Sequence, residues 1–314
     1  MKNDNKYKEK PVVQVLMSTY NGEKYLKRQI ESIIKQECVI CNVIIRDDGS
    51  TDETKNVLEE CANLYPGKIE YYLCENIGYK KSFLKLLEYA QEADYYAFAD
   101  QDDVWNKDKV ILAIEKLENI NEKVKLYVSN VRVTNEKMEE IGFSNLQNMP
   151  NRLEALFTRT RFAGCTFVYS QELLRLCLPY TRLEYKEREM PDHDFLLAAI
   201  AYSVGEVYID FESHLNHVRH KTSVTSGGNG IIKRIKIELY NIFIRRNVRL
   251  HMAQLIVTNN DISIKEKEEK FLREVLNYKN NLFCKLQLIF NPKLTCGIKI
   301  CDLETKFKIL IGRF

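Results

Sequence analysis

The first 120 residues alternate between short apolar runs and amphipathic stretches. Residues 12–17, 43–46, 69–73 and 95–99 are compact apolar or aromatic runs, the length of buried strands. Between them, residues 23–36 place Tyr25, Leu26, Ile30, Ile33 and Ile34 at helical spacing. A second helix is expected up to Leu64, capped by Thr51 or Asp52, with a turn at Pro66-Gly67 behind it. Further helices are expected over residues 82–91 and 107–117. Strands that alternate with helices over short connections predict a mostly parallel sheet covered on both faces.

The polar residues that end these strands carry the chemistry. One run stops at Ser18-Thr-Tyr-Asn-Gly22, one at Asp47-Asp-Gly-Ser50, and one at Asp100-Gln-Asp-Asp103. In a parallel sheet all three fall on the same edge, where open α/β sheets bind ligands. Three carboxylates within four residues repel one another and raise one another's pKa. A divalent cation relieves that conflict, and Mn²⁺ or Mg²⁺ takes hard oxygen ligands together with substrate phosphates. The edge therefore reads as a metal–diphosphate site, with a solvated acidic turn as the plainer alternative.

The segments 18–26, 46–52, 76–78 and 98–105 resemble glycosyltransferase family 2, in order and spacing, from about residue 12 to about residue 225. The form Asp-Gln-Asp-Asp-Val-Trp, with a later His-Asp, is similar to the bacterial rhamnosyltransferase-like branch. The resemblance implies an inverting enzyme of the GT-A (Rossmann-like) fold. It implies that Thr19 and Tyr20 line the nucleobase and ribose pocket, that Asp47 meets the pyrimidine N3–H, and that Asp100 meets the ribose or sugar. Asp102 would hold the metal against the diphosphate. Asp103 stays open between a site role and an N-cap-like role before the following helix. Trp105, the only tryptophan, either packs a sugar face or anchors that helix.

In the second half, residues 190–197 open an apolar helix containing His193-Asp194, where the family places its general base. Asp194 is the expected base and Asp192 the second candidate, with helix capping the alternative for both. His214, His217 and His220 recur every three residues, a spacing that does not align three ligands on either a helix or a strand. The resemblance implies that His220 is a metal ligand or diphosphate contact and that Arg219 and Lys221 add positive charge, although the arginine register is shifted. His214 and His217 read as surface or packing residues. Residues 161–168 look like a strand lining an acceptor pocket, with Gly164 permitting close approach, and residues 144–160 read as a loop and candidate lid.

Net charge is +3 and unevenly placed: residues 231–314 hold 17 Lys/Arg against 8 Asp/Glu, the rest 30 against 36. With the breaker cluster at 226–230, this divides the chain into an expected catalytic domain (1–230) and a basic helical C-terminal appendage (231–314). Mixed aliphatic and basic residues there suit peripheral contact with an anionic membrane. No recognised nucleic-acid motif accompanies the charge, so a nucleic-acid partner is excluded. No apolar run reaches the ~18 residues of a membrane span. The charged N-terminus and nine scattered cysteines fit a cytoplasmic, reducing environment, and the lone Cys38-x-x-Cys41 reads as structural.

The combined expectation is a metal-dependent sugar transfer from a dTDP- or UDP-linked donor, rhamnose before hexose, to a lipid-linked or glycan acceptor of a cell-surface polysaccharide. The alternatives are a non-catalytic nucleotide-binding scaffold and a sugar nucleotidyltransferase, whose basic Gly-rich N-terminal loop this chain lacks.

Overall fold

The computed structural model describes residues 9–186, 189–220 and 247–314, and the chain divides into two compact units. The first holds the described residues up to 145 together with 162–181 and 206–219. The second holds 146–161, the described part of 182–205, and the described residues from 220 onward. The boundary expected near residue 230 lies outside the described residues, as does most of the expected 231–249 basic segment.

In the first unit, the alternating pattern folds as β1 (Val12–Thr19), α1 (Leu26–Ile34), β2 (Ile40–Asp47), α2 (Thr54–Leu64), β3 (Ile69–Leu73), α3 (Tyr79–Tyr89), β4 (Tyr95–Asp100), the short β5 (Val104–Trp105) and α4 (Lys109–Glu118). Then come β6 (Lys125–Thr134), β7 (Glu140–Phe143), β8 (Val168–Ser170), α6 (Gln171–Thr181) and β9 (Glu206–Val218). The sheet runs β3-β2-β1-β4-β8-β6-β9-β5, with β7 on β6. From β3 to β4 it is parallel, as the spacing predicts. Beyond β4 it is mixed: β8 is antiparallel to β4 and β6, and β9 is parallel to β6 but antiparallel to β5. The reversal accompanies the end of the strand–helix alternation, since only a crossover makes a neighbour parallel.

Both faces of β1 are covered, which explains its unbroken apolar run. α1 lays Leu26, Ile30 and Ile33 against Val15, Met17 and Val43 in the same buried cluster. α3 starts at Tyr79, earlier than expected, because Gly78 at φ +83 turns the chain directly into it. Two expectations are corrected. Residues 161–168 do not form a strand: Gly164 opens a buried 3₁₀ turn to Thr166, and only Val168–Ser170 pairs with the sheet. The stretch 144–160 is no open lid, because Leu153–Thr158 is a fully buried helix, α5, anchored by Leu153, Leu156 and Phe157.

The second unit is helical: α5, α7 (His193–Val204), α8 (Val248–Val257), α9 (Glu266–Asn277), α10 (Leu282–Phe290) and α11 (Lys299–Leu310). Phe157 meets Phe195 and Phe271 edge-on, each at 5.4 Å, and the Arg249 guanidinium lies 4.3 Å from the Phe195 ring. Gly297 at φ +82 lets the backbone run against Asn148, whose carbonyl oxygen would sit 1.8 Å from any Cβ. Among the described residues, no helix is long and apolar enough to cross a membrane.

Candidate active site

The strand register sets the polar strand ends side by side. Thr19 stands opposite Asp47, and Ser18 opposite both Arg46 and Asp100. Gln101 then ties the loops together: its Oε1 accepts from the Thr19 hydroxyl (2.6 Å) and the Tyr20 amide (2.8 Å), and its Nε2 donates to the Tyr20 carbonyl (3.1 Å). Thr19 is thereby buried, and of the two expected pocket residues only Tyr20 presents an exposed ring. Asn21 and Ser50 link the first loop to the second through Asn21 N–Ser50 Oγ (2.8 Å) and Thr51 N–Asn21 Oδ1 (2.8 Å).

The adjacent aspartates 47 and 48 do different work. Asp47 accepts from the amide (3.0 Å) and the hydroxyl of Ser50, which fixes its carboxylate in the turn. Asp48 is buried against Arg46 and accepts from the amides of Ile77 and Gly78, each at 2.9 Å. Arg46 also donates to Ser82 Oγ (3.1 Å) and the Glu75 carbonyl (3.0 Å). Asp48 therefore clamps the 75–78 loop, a role that no sequence pattern signalled.

After β4 the structure gathers Asp100, Asp103, Cys165 and His217, with ligand atoms all within 4.8 Å of one another. Asp103 is fully buried; its Oδ1 lies 2.8 Å from His217 Nδ1, and its Oδ2 has no hydrogen-bond partner among the described residues. The N-cap-like alternative for Asp103 does not apply, because the N-cap of α4 is Asp108. Burial, then the charges of Asp103 and Asp102, push the Asp100 carboxyl up to about 7. Burial alone would lower His217, but its bond to Asp103 and the surrounding carboxylates outweigh this and push it up to about 9. His217 is thus an imidazolium packed on Asp103, more than the packing residue the sequence suggested. Burial, then the charges of Asp103 and Asp100, drive the Cys165 thiol well above its usual range, so it stays protonated.

Behind the cluster, Lys109 is fully buried with Nζ 3.6 Å from the centre of the Trp105 ring, and burial lowers it to about 8. Trp105 is 3% exposed and belongs to the core cluster, which leaves no ring face for a sugar. It anchors α4. Gly164 adjoins Cys165 in the buried turn. Asp102 sits half-buried between the buried Asp103 and the strand end, where its charge reaches Asp100.

In the second unit, Asp192 occupies the N-cap position of α7 but makes no side-chain cap bond. Instead it lines a cavity of about 220 Å³ together with Arg159, Arg249, Glu304, Lys308 and Arg313. Asp194 lies in the first turn of α7, half-buried, and accepts from the Phe195 amide at 2.6 Å. His220 is half-buried in the same unit, and Lys221 lies outside the described residues. Arg219 is exposed, with its amide on the Thr134 carbonyl.

The family model described as glycosyl transferase family 2 matches residues 14–176. The chain is 34% identical over 169 residues to the dTDP-rhamnosyl transferase RfbG of Shigella flexneri, covering 50% of this chain and 55% of that protein. It is 33% identical over 106 residues to a teichoic acid poly(glycerol phosphate) polymerase of Staphylococcus epidermidis, covering 33% of this chain and 15% of that protein. The chain thus spans about half the length of the first relative and a small part of the second. The fold is similar to residues 1–349 of S. aureus TarS in complex with UDP-GlcNAc, at TM-score 0.57 and 16% identity, over 95% of this chain and 82% of the other. It is also similar to the mannosyltransferase PcManGT from Pyrobaculum calidifontis in complex with GDP-Man and Mn²⁺, at TM-score 0.51 and 16% identity, over 97% of this chain and 75% of the other.

Proposed function

The chain belongs to glycosyl transferase family 2, and from that premise we propose that it transfers a sugar with inversion from a nucleoside-diphosphate donor to a hydroxyl of a cell-surface polysaccharide precursor. The observation that carries the reading is the alignment of three polar strand ends, Thr19 opposite Asp47 and Ser18 opposite Asp100, on one sheet edge. The similarity to a dTDP-rhamnosyl transferase supports dTDP-L-rhamnose as donor, ahead of a UDP-hexose. The acceptor would be a lipid-linked or glycan precursor, met at the inner face of the plasma membrane.

In this scheme Asp47 accepts the pyrimidine N3–H. Its two Ser50 contacts leave lone pairs on both carboxylate oxygens, and an acceptor-only group suits an imide donor. Tyr20 offers its exposed ring to the base or ribose, held in place by Gln101. Asp100, part of the acidic cluster, would meet the ribose or sugar.

A divalent cation fits this edge. Asp100 and Asp103 gather around the His217 imidazolium with Lys109 behind them, Asp102 adds its charge beside Asp100, and the buried Asp103 Oδ2 has no hydrogen-bond partner among the described residues, so an acceptor oxygen is left for a cation. Asp102, half-buried beyond the strand end, would hold Mn²⁺ or Mg²⁺, with His220 the second candidate ligand, while the Asp103–His217 pair fixes the loop. When bound, the cation offsets negative charge on the departing diphosphate. Asp194 takes the proton of the acceptor hydroxyl as its oxygen bonds to the anomeric carbon and the bond to the diphosphate breaks. Asp192 is the second candidate for that base.

The test is a thermal-shift screen of nucleoside diphosphates and nucleotide sugars, with and without Mn²⁺. A ligand that binds only the folded protein raises the melting temperature. Stabilisation by dTDP or UDP species that depends on metal is expected. No response to any nucleotide would move the weight to a non-catalytic scaffold.

A further inference from the structure

Half of the exposed large apolar side chains in the described chain fall within residues 282–311. They are ordered. On α10, Leu282, Phe283, Leu286 and Phe290 are 43% to 76% exposed, and their spacing confines them to roughly a 100° arc of the helix. Leu288, the buried residue of α10, lies on the opposite side. On α11, Ile300, Leu303, Phe307 and Leu310 are 45% to 74% exposed and likewise form a single stripe. Cys301, Thr305 and Ile309 face inward. Both helices therefore have an inner face that builds the unit and an outer apolar face that the described fold does not cover. A stripe of this size in water marks an interaction surface.

The charge carried by the two helices and their flanking turns selects the partner, although α9 sets Glu266, Glu269 and Glu274 with Lys270 and Arg273 beside Phe283. Residues 282–313 carry Lys285, Lys293, Lys299, Lys306, Lys308 and Arg313 against only Asp302 and Glu304. Asp302 is turned inward, accepting from the Thr295 hydroxyl (2.6 Å) and the Cys296 amide (2.9 Å). Glu304 is paired with Lys308 and Arg159. Lys299 and Lys306 fall together on one border of the α11 stripe. A second copy would bring the same basic border against itself, and residues 221–246 of this chain hold six Lys/Arg against one Asp/Glu. Both would add like charge to like.

We propose that the outer faces of α10 and α11 dock this protein on an anionic lipid bilayer, with the apolar stripes in the interface and Lys299 and Lys306 at the headgroups. The inference deepens the transferase reading by naming the surface that brings the site to a membrane-held acceptor, but its test needs no nucleotide. Vesicle binding and nucleotide binding can therefore fail separately.

The full chain is sedimented with vesicles of phosphatidylcholine alone and of phosphatidylcholine with phosphatidylglycerol, at low and high salt. It should pellet with the anionic vesicles and be released as salt screens the charges. Phe290→Glu and Leu303→Glu place a charge on exposed stripe positions, so they should keep the wild-type melting temperature and lose at least about tenfold in vesicle affinity. Lys299→Glu/Lys306→Glu should lose at least about fivefold. Trp105 is buried and gives a constant background, so in Leu303→Trp a blue shift on adding anionic vesicles reads insertion of the stripe. Absence of pelleting, or equal pelleting of the wild type and the Glu variants, overturns the proposal. So does a dimer that Leu303→Glu dissociates in the absence of vesicle binding, which would assign the surface to a second copy.

Discussion

Replacing Asp48 by alanine tests the clamp behind the polar sheet edge. Asp48 and its partner Arg46 are 2% and 4% exposed, and the carboxylate serves that guanidinium and the amides of Ile77 and Gly78. Alanine leaves a buried guanidinium without its counter-charge, which costs about 3–5 kcal/mol. It also strips two loop amides of their acceptor, at about 1–3 kcal/mol each unless water reaches them. These costs overlap, and the expected loss is about 4–6 kcal/mol. Trp105 lies in the core of the same unit, so its fluorescence in a urea titration reports the unfolding of that unit and not of the helical one. Arg46→Met in the Asp48→Ala background should cost much less than the sum of the single changes, because removing both charges leaves neither stranded. Nucleotide binding should weaken in Asp48→Ala even where the protein is still folded, since the 75–78 loop loses its anchor. A loss below about 1 kcal/mol, or additive single effects, would refute the idea that this pair holds the loop.

Asp102→Asn should abolish the Mn²⁺ enhancement of nucleotide binding in a thermal-shift titration, whereas His217→Gln should mainly lower stability; the reverse pattern would move the ligand set to Asp100, Asp103 and His217. Asp194→Asn should leave donor binding intact and lower transfer by at least about a hundredfold, and near-normal turnover would pass the base role to Asp192. Gly49→Ala should destabilise by about 1–3 kcal/mol, because Gly49 sits at φ +78 and a Cβ would lie 2.9 Å from the Asn76 amide nitrogen; chemical denaturation measures it. Burial alone would raise Asp210, but His214, the Glu212 amide and the Tyr127 hydroxyl outweigh it and hold its carboxyl down to about 2, against an ordinary 3.8. That lowered value contributes stability above pH ~4 and loses it as pH falls toward ~2, so Asp210→Asn should cost about 1 kcal/mol at neutral pH and nothing near pH 2, read from acid unfolding curves.

The two adjacent aspartates show where sequence reading stops. Asp47 and Asp48 are the same residue type at the same strand end, and local pattern cannot separate them. Both are buried, and which one is tied to Ser50 and which one to Arg46 follows from the end of the strand and from where the 75–78 loop passes. Trp105 illustrates the same limit. Its position after an acidic loop is compatible with a sugar platform, and only the packing of Lys109 across its ring and its place in the core cluster put it under α4.

The sequence alone determined the strand–helix alternation, the parallel half of the sheet and the three polar strand ends, because hydrophobic period and strand termination are local properties of consecutive residues. It also carried the family's motifs, whose order survives without any knowledge of the contacts. Only the tertiary structure decided the mixed half of the sheet and the buried α5. It also decided the pairing of Asp103 with His217, which are 114 positions apart. That pair exists because β5 lies antiparallel to β9 with Val104 opposite Asn216, which brings Asp103, the residue before β5, to His217, the residue after Asn216. No one-dimensional pattern encodes the register between distant strands. It is fixed when both bury their apolar faces in a common core.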